Sequence, residues 1–190
     1  MPKLWTETIN AHRHAVRETI MESATKLAME HGISALTMLQ IAEVAGIGRA
    51  TLYKYFPDIE SILAAWHERM VLGHLEQLHK VAGGHGSSTE RLHAVLKTYA
   101  DNAHQSHSAG LAAMLHRGPA VASAHLQLQG LVVNLLEQGV KSGGIRRDIA
   151  PKELALFCLH ALTAAETLSS KPAVDRLLSV ILAGLRPPQA

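Results

Sequence analysis

Hydrogen-bond donors are concentrated between residues 48 and 55, and their types suit contact with a nucleic-acid duplex. Arg49 carries a planar guanidinium that can donate two hydrogen bonds to O6 and N7 of guanine. Lys54 and the neighbouring hydroxyl groups could reach phosphate oxygens, and such contacts orient a protein without reading bases. The small Gly48 and Ala50 would let the backbone approach the floor of a groove. The residues that we predict to contact DNA are Thr37, Gly48, Arg49, Ala50, Thr51, Tyr53, Lys54 and Tyr55.

Two short helices and a tight turn are needed to present these side chains. Thr37 and Gln40 have the spacing of a capping box, which predicts the start of the first helix. That helix is expected to end at Ala45, where Gly46 can adopt the left-handed conformation. Gly48 is an acceptable N-cap for the second helix. The pattern predicts a helix-turn-helix, whose second helix enters the major groove by its N-terminal residues.

The second helix should have one buried side and one exposed side. Leu52 and Phe56 are four residues apart, so we expect both to face inward and the donors named above to face outward. Pro57 is expected to end this helix, and Asp58 to cap the next one.

The stretch resembles the DNA-binding domain of TetR-family transcriptional regulators over about residues 16–63. The resemblance is carried by Thr37, Ile41-Ala42, Ala45-Gly46-Ile47, Thr51-Leu52-Tyr53, Tyr55-Phe56 and Glu60. Two residues depart from the family pattern. Ile59 stands where a phosphate-binding lysine is usual, and Gly48 stands where serine is frequent. The alternative for this stretch is a plain helical hairpin with a solvated arginine and lysine.

The overall charge of the chain does not by itself predict a nucleic-acid partner. The formal net charge is only +2, and residues 1–70 hold seven Lys and Arg against eight Asp and Glu, a net charge of −1. A basic surface must therefore be local, and we expect it to consist of Arg13, Arg17, Arg49 and Lys54. Arg13 and Arg17 could equally belong to a merely solvated face.

The composition and the apolar spacing predict an all-α protein with two domains. Hydrophobic residues make up 47% of the chain but aromatic residues only 4%, which suits helices better than sheets. We predict a DNA-binding domain over residues 1–66, with the helix-turn-helix at about 36–56, and a ligand-binding and dimerisation bundle over 67–190. Residues 1–10 should form a tail, and residues 83–88 a glycine-rich linker. Helices are expected at about 10–31, 58–81, 89–104, 111–116, 120–141, 151–168 and 172–185.

The sequence offers no pattern for catalysis or for a bound metal. There is no G-x-S-x-G motif and no lysine in a nucleotide-binding loop. The closest histidine group, His104, His107 and His116, lacks an H-E-x-x-H spacing, so we expect no metal site, no cofactor and no enzymatic activity. Cys158 is the only cysteine and lies in an apolar helical run, where it is expected to be a buried hydrophobe.

No targeting segment or membrane span is visible. The N-terminal residues MPKLWTET lack the apolar core of a signal peptide, and the run 154–165 is too short to cross a bilayer. We therefore expect a cytoplasmic protein without membrane contact.

The resemblance implies a one-component transcriptional regulator, most simply a repressor, that binds a palindromic operator as a homodimer. It places a four-helix dimer interface on the last two helices, for which we predict Leu154, Ala161, Leu178, Ile181 and Leu182. The rival hypothesis is a helical protein that binds a small molecule or a metal and does not bind DNA.

The resemblance also implies an effector site in the second domain. The predicted lining is Tyr99, His104, Met114, His116, Leu128 and Phe157, with Glu166 as a further polar candidate. Because pockets between helices are mostly apolar and aromatic residues are few, we expect a small apolar or acyl-like effector. A fully packed core is the alternative.

Overall fold

Every regular element in residues 2–105 and 119–188 is helical. The computed structural model describes these residues, and within residues 2–8 it describes the backbone only. The α-helices of this part are α1 (Pro2–His31), α2 (Met38–Val44), α3 (Arg49–Tyr55), α4 (Ile59–Ala82), α5 (Ser88–Gln105), α6 (Pro119–Lys141), α7 (Pro151–Thr163) and α8 (Lys171–Leu185). The predicted all-α fold class is confirmed. The predicted turn at 106–110 and helix at 111–116 lie outside the described residues.

The chain divides into two compact units, Met1–Arg69 and Met70–Ala190. The sequence placed the division after residue 66. Helix α4 begins in the first unit and ends in the second.

The first helix starts eight residues earlier than predicted, at Pro2 instead of Asn10. Its apolar spacing begins only at Val16, and the side chains of residues 9–15 are all exposed. Because this part of α1 has no buried face, apolar periodicity could not reveal it. Pro2 fits the first turn, where the missing N–H would have no helical partner.

The core of the first unit surrounds α2 and α3. Helix α1 contacts α2, which in turn contacts α3. Ile20 from α1, Ile41 from α2, Leu52 from α3 and Ile62 from α4 are fully buried. At the start of α4, Asp58 is the predicted cap, since its Oδ1 accepts a hydrogen bond from the Ser61 amide at 2.7 Å.

The second unit is organised around α5, which contacts α6, α7 and α8. Its inward side chains, Leu92, Val95, Leu96 and Ala100, are completely buried. The helix starts at a capping box that was not among the predicted helix signals. Glu90 Oε2 accepts from the Ser87 amide at 2.8 Å, and Ser87 Oγ accepts from the Glu90 amide at 3.2 Å.

The end of α6 is a Schellman motif closed by two glycines. Gly143 has a φ of 78°, its amide donates to the Val140 carbonyl, and the Gly144 amide donates to the Gly139 carbonyl. The buried side chain of Ile145 then folds back onto α6, where a Cβ at Gly139 would overlap it. The turn therefore needs glycine at position 143 for the left-handed backbone conformation and at position 139 for space.

Helix α7 ends earlier than predicted. The apolar spacing predicts a helix through Leu168, but the α-helix ends at Thr163 and continues as a short 3₁₀ turn, Ala164–Glu166. The hydroxyls of Thr163 and Thr167 donate to the carbonyls of His160 and Ala164 at 2.8 and 3.0 Å. Such local bonds compete with continued helix.

The connector between α6 and α7 is fixed to the end of α8 through Arg146. The Arg146 amide donates to the Leu185 carbonyl at 2.9 Å, and its Nη1 donates to the Gly184 carbonyl at 3.1 Å. The remaining edge of the guanidinium forms a two-bond pair with Asp148, which lowers the pKa of that carboxyl. Arg146 therefore caps α8 while it holds the connector.

None of the helices in the described part of the chain combines the length and the apolar character that a membrane-spanning segment needs.

Candidate functional site

The turn of the predicted helix-turn-helix has the geometry that its sequence indicated. The Thr37 amide donates to Gln40 Oε1 at 3.0 Å, and Thr37 Oγ1 accepts from the Gln40 amide at 3.3 Å, so the capping box is confirmed. Gly46 has a φ of 67° and its amide donates to the Glu43 carbonyl. The Ile47 amide donates to the Ala42 carbonyl at 3.0 Å, which completes a Schellman motif at the end of α2.

Helix α3 has a buried side that fixes the direction of its exposed side. Leu52 and Phe56 are 0% and 2% exposed, as predicted. The Gly48 carbonyl accepts from the amides of Thr51 and Leu52, so Gly48 begins the helix without a side-chain cap. The opposite side projects away from the core of the first unit, and Tyr53 on it is 51% exposed.

Most of the predicted DNA-contacting residues share this exposed surface. Thr37, Gly48, Arg49, Ala50, Tyr53 and Lys54 are exposed, whereas Thr51 and Tyr55 are half-buried. Their contact with DNA stays a prediction. We call the exposed residues Arg49, Ala50, Tyr53 and Lys54 the α3 surface.

The cations of the α3 surface are not committed to carboxylates. The ion pairs among the described residues include neither Arg49 nor Lys54, and α3 itself carries no acidic side chain. Both could therefore bind phosphate or base edges without breaking an ion pair. Arg17 of α1 is placed differently, because its guanidinium carbon lies 4.4 Å from the centre of the Phe56 ring. Arg13 is exposed.

Three of the polar residues considered for the effector site come together at the end of α5. His104 Nδ1 donates to the Ala165 carbonyl at 3.2 Å, which brings α5 against the 3₁₀ turn containing Glu166. Burial, and next the negative charge of Glu166, raise the pKa of Tyr99, so its phenol stays neutral and can donate a hydrogen bond. Leu128 of α6 is buried in the core of the same unit.

The other predicted effector residues are not part of this group. Phe157 is 48% exposed, and a Cβ at Gly184 of α8 would be 3.7 Å from its Cε1, so it lies on the outer side of α7 and α8. Its contact with an effector stays a prediction, and its outward position gives that prediction no support, because periodicity does not tell the two sides of an apolar helix apart. Met114 and His116 lie outside the described residues.

The predicted dimer residues need a similar correction. Leu154, Leu178 and Ile181 are at most 3% exposed and belong to the core of the second unit, so they cannot form a surface. Ala161 and Leu182 are half-buried. The apolar side chains that α7 and α8 present outward are instead Leu156, Phe157 and Val180.

The thiol is buried, and the histidines of the described residues are not grouped as metal ligands would be. Cys158 is fully buried, and burial raises the pKa of its thiol to about 12. Among the described residues, no three His, Cys, Asp or Glu side chains converge as metal ligands would. His107 and His116 lie outside those residues.

A cleft of about 430 Å³ in the second unit was not predicted. It lies between the end of α4, the start of α5 and the second half of α6. Its lining is His79, Ala82, Gly83, Arg91, Gly130, Leu131, Asn134, Leu135 and Gln138. No motif marks it in the sequence, because Arg91 and Gln138 are 47 residues apart and meet only in the fold.

Two family models together match most of the chain. The model described as bacterial regulatory proteins, tetR family, matches residues 20–66, which contain α2 and α3. The model described as the C-terminal domain of SbtR-like transcriptional regulators matches residues 89–187, more than half of the chain.

Curated relatives and solved structures agree with these matches. An uncharacterised HTH-type transcriptional regulator of Mycobacterium tuberculosis is 27% identical over 166 residues, covering 84% of this chain and 83% of the relative. The HTH-type transcriptional repressor KstR2 of Rhodococcus jostii is 25% identical, with coverages of 90% and 92%. A TetR/AcrR-family regulator from Thermobifida fusca has a TM-score of 0.81 at 25% identity, covering 90% of this chain and 98% of that one. AibR in complex with isovaleryl coenzyme A and operator DNA shares the fold, with a TM-score of 0.61 at 16% identity and coverages of 92% and 100%.

Proposed function

The chain belongs to the tetR family of bacterial transcriptional regulators, and we propose that it is a ligand-responsive repressor that binds a palindromic operator through α3. Two observations support a repressor that responds to a ligand. The relative KstR2 is named a repressor, and AibR carries an acyl-coenzyme A together with operator DNA.

The α3 surface is the observation that carries the proposal. The buried Leu52 and Phe56 fix helix α3 in the first unit. The α3 surface itself consists of one small residue, one tyrosine and two cations that take part in none of the ion pairs among the described residues. Arg49 lies in the first turn, the part of a recognition helix that contacts base edges. We assign it to guanine in the major groove. Lys54 lies more than one turn later and is assigned to the phosphate backbone.

A palindromic operator requires two copies of α3, so we propose a homodimer. Two-fold operators place successive half-sites about 34–36 Å apart, which a dimer with the same symmetry can match. The outward apolar side chains of α7 and α8 are the surface we assign to the interface. Val180 is 69% exposed, and Phe157 lies over Gly184, which has no side chain. These residues form an apolar patch that a second copy could approach closely and cover.

We propose that a small apolar effector binds beside Tyr99 and His104. The neutral phenol and the imidazole would orient its polar end, and the core around Leu128 would receive its apolar part. Such a ligand changes operator affinity only to the extent that it prefers one conformation of the dimer over the other. We expect the regulator to act in the cytoplasm, where an operator is accessible.

The experiment that tests the function is operator binding by variants of the α3 surface. The region upstream of the protein's own gene is searched for a palindrome, and binding is titrated at several salt concentrations. Arg49→Ala should cost about 1–3 kcal/mol on the palindrome and relax the preference at one base pair. Lys54→Ala should weaken binding to all sequences alike and lower the salt slope by about one unit.

Arg147→Ala is the matched control, because it removes an exposed arginine from the second unit and should leave both affinity and salt slope unchanged. Wild-type binding by both the Arg49 and the Lys54 variant would show that α3 is not the recognition helix.

A further inference from the structure

The cleft between α4, α5 and α6 contains a cation without a counter-ion. Arg91 is half-buried, and the ion pairs among the described residues do not include it. Its Nη1 donates to the Ala82 carbonyl at 3.1 Å, so one edge of the guanidinium caps the C-terminal end of α4. Within the described residues, the charge is therefore compensated by a helix end and a neutral amide.

The other edge of the guanidinium has one donor without an acceptor. Arg91 Nη2 donates to Gln138 Oε1 at 2.7 Å, but Nε is shielded from solvent and finds no hydrogen-bond partner in the described residues. Nε–H and Nη2–H point the same way and form the fork that binds both oxygens of a carboxylate. The Gln138 oxygen accepts from Nη2 and leaves Nε–H unbonded. Gln138 thus occupies half of a carboxylate site.

The remaining lining fits a small molecule with an apolar body. Leu131, Leu135 and Ala82 supply apolar surface, and Gly83 and Gly130 leave space where side chains would stand. The volume of about 430 Å³ is within the range of small-molecule pockets. Gln138 Nε2 donates to Oδ1 of the exposed Asn134, so the half-buried Gln138 side chain is bonded to a residue at the surface.

We propose that this cleft binds a small carboxylate with a short aliphatic chain. The carboxylate takes Nε–H and Nη2–H of Arg91 together, and Gln138 turns its amide aside to make room. The aliphatic chain lies against Leu131 and Leu135. This site is distinct from the proposed effector region, since neither Tyr99 nor His104 lines the cleft.

The test measures binding directly and does not depend on DNA. Full-length ¹⁵N-labelled protein is titrated with hexanoate, with the neutral hexanamide and with inorganic phosphate, while the Arg91 Nε–H signal and the amides of Gly83 and Gly130 are followed. Hexanoate should shift these signals, and the shifts should approach saturation at a hexanoate concentration of about 10 mM, which is ten times the Kd of a millimolar site. Equal shifts with hexanamide, a response to phosphate alone, or no response at all would overturn the proposal.

Two variants separate the fork from a simple positive charge. Arg91→Lys keeps the charge but loses the fork, so hexanoate should bind about tenfold more weakly. Arg147→Lys, at an exposed arginine outside the cleft, should bind like wild type. Gln138→Ala removes the competing amide and should tighten binding, an effect that damage to the fold would not produce. Unchanged affinity in Arg91→Lys, or weaker binding in Gln138→Ala, would refute the assigned geometry.

Discussion

Replacing Gly139 by alanine tests how tightly the turn after α6 is packed. Alanine is favoured over glycine inside a helix by about 1 kcal/mol. At Gly139, however, the new methyl group would overlap the buried Ile145 side chain, and it would lie 3.3 Å from Ile145 Cβ. Overpacking of this kind typically costs about 1–3 kcal/mol. The net expectation is a loss of stability of up to about 2 kcal/mol.

Gly130→Ala is the control in the same helix. Gly130 is exposed and nothing lies within 4 Å of the position of its Cβ, so the variant should be more stable by about 0.5–1 kcal/mol. Comparing the two variants cancels the helix-propensity contribution and leaves the Ile145 contact. Urea unfolding followed by circular dichroism, at one protein concentration, measures both. If Gly139→Ala stabilises the protein as much as Gly130→Ala does, then Ile145 moves without cost and the packing argument fails.

The remaining predictions concern the dimer surface, the turn and the thiol. Val180→Asp places a charge in the proposed interface, so it should convert the dimer to monomers in sedimentation velocity. The control Leu126→Asp, at a 70% exposed position of α6, should remain dimeric. A dimeric Val180→Asp variant would disprove the assigned surface. Gly46→Ala should lower the free energy of unfolding in urea by about 1–2 kcal/mol, because alanine is strained in the left-handed conformation. No atom crowds the Cβ position, so this strain is the whole expected effect, and a variant as stable as wild type would contradict it. The Cys158 thiol, with a pKa raised to about 12, should resist a thiol reagent at pH 8 in the native protein and react after addition of denaturant. Rapid reaction of Cys158 in the native protein would show that helix α7 opens.

Local sequence signals predicted the helix-turn-helix closely because they act within a few residues. The Thr37 capping box, the left-handed Gly46 and the Asp58 cap are contacts between neighbours in the chain, and each appears in the structure. The start of α1 was missed because residues 9–15 have no buried side to create a period.

The second unit was harder to predict because its decisive contacts are long-range. An apolar stripe on α8 can be buried either in the core of the second unit or against a second copy of the protein. Leu178 and Ile181 were therefore assigned to the dimer interface, although they belong to the core. The Arg91 cleft depends on two residues from separate helices, and neither has a local pattern. For the same reason, no spacing could show that Phe157 lies outside the interior.

The attachment of Arg146 to the end of α8 has a consequence for how the second unit opens. Residues 145–149 belong to no helix, yet the Arg146 amide is bonded to the Leu185 carbonyl, 39 positions further along the chain. This amide should therefore exchange with deuterated solvent only when the last turn of α8 detaches, and at the same rate. A loop position thus reports on the opening of the C-terminal helix.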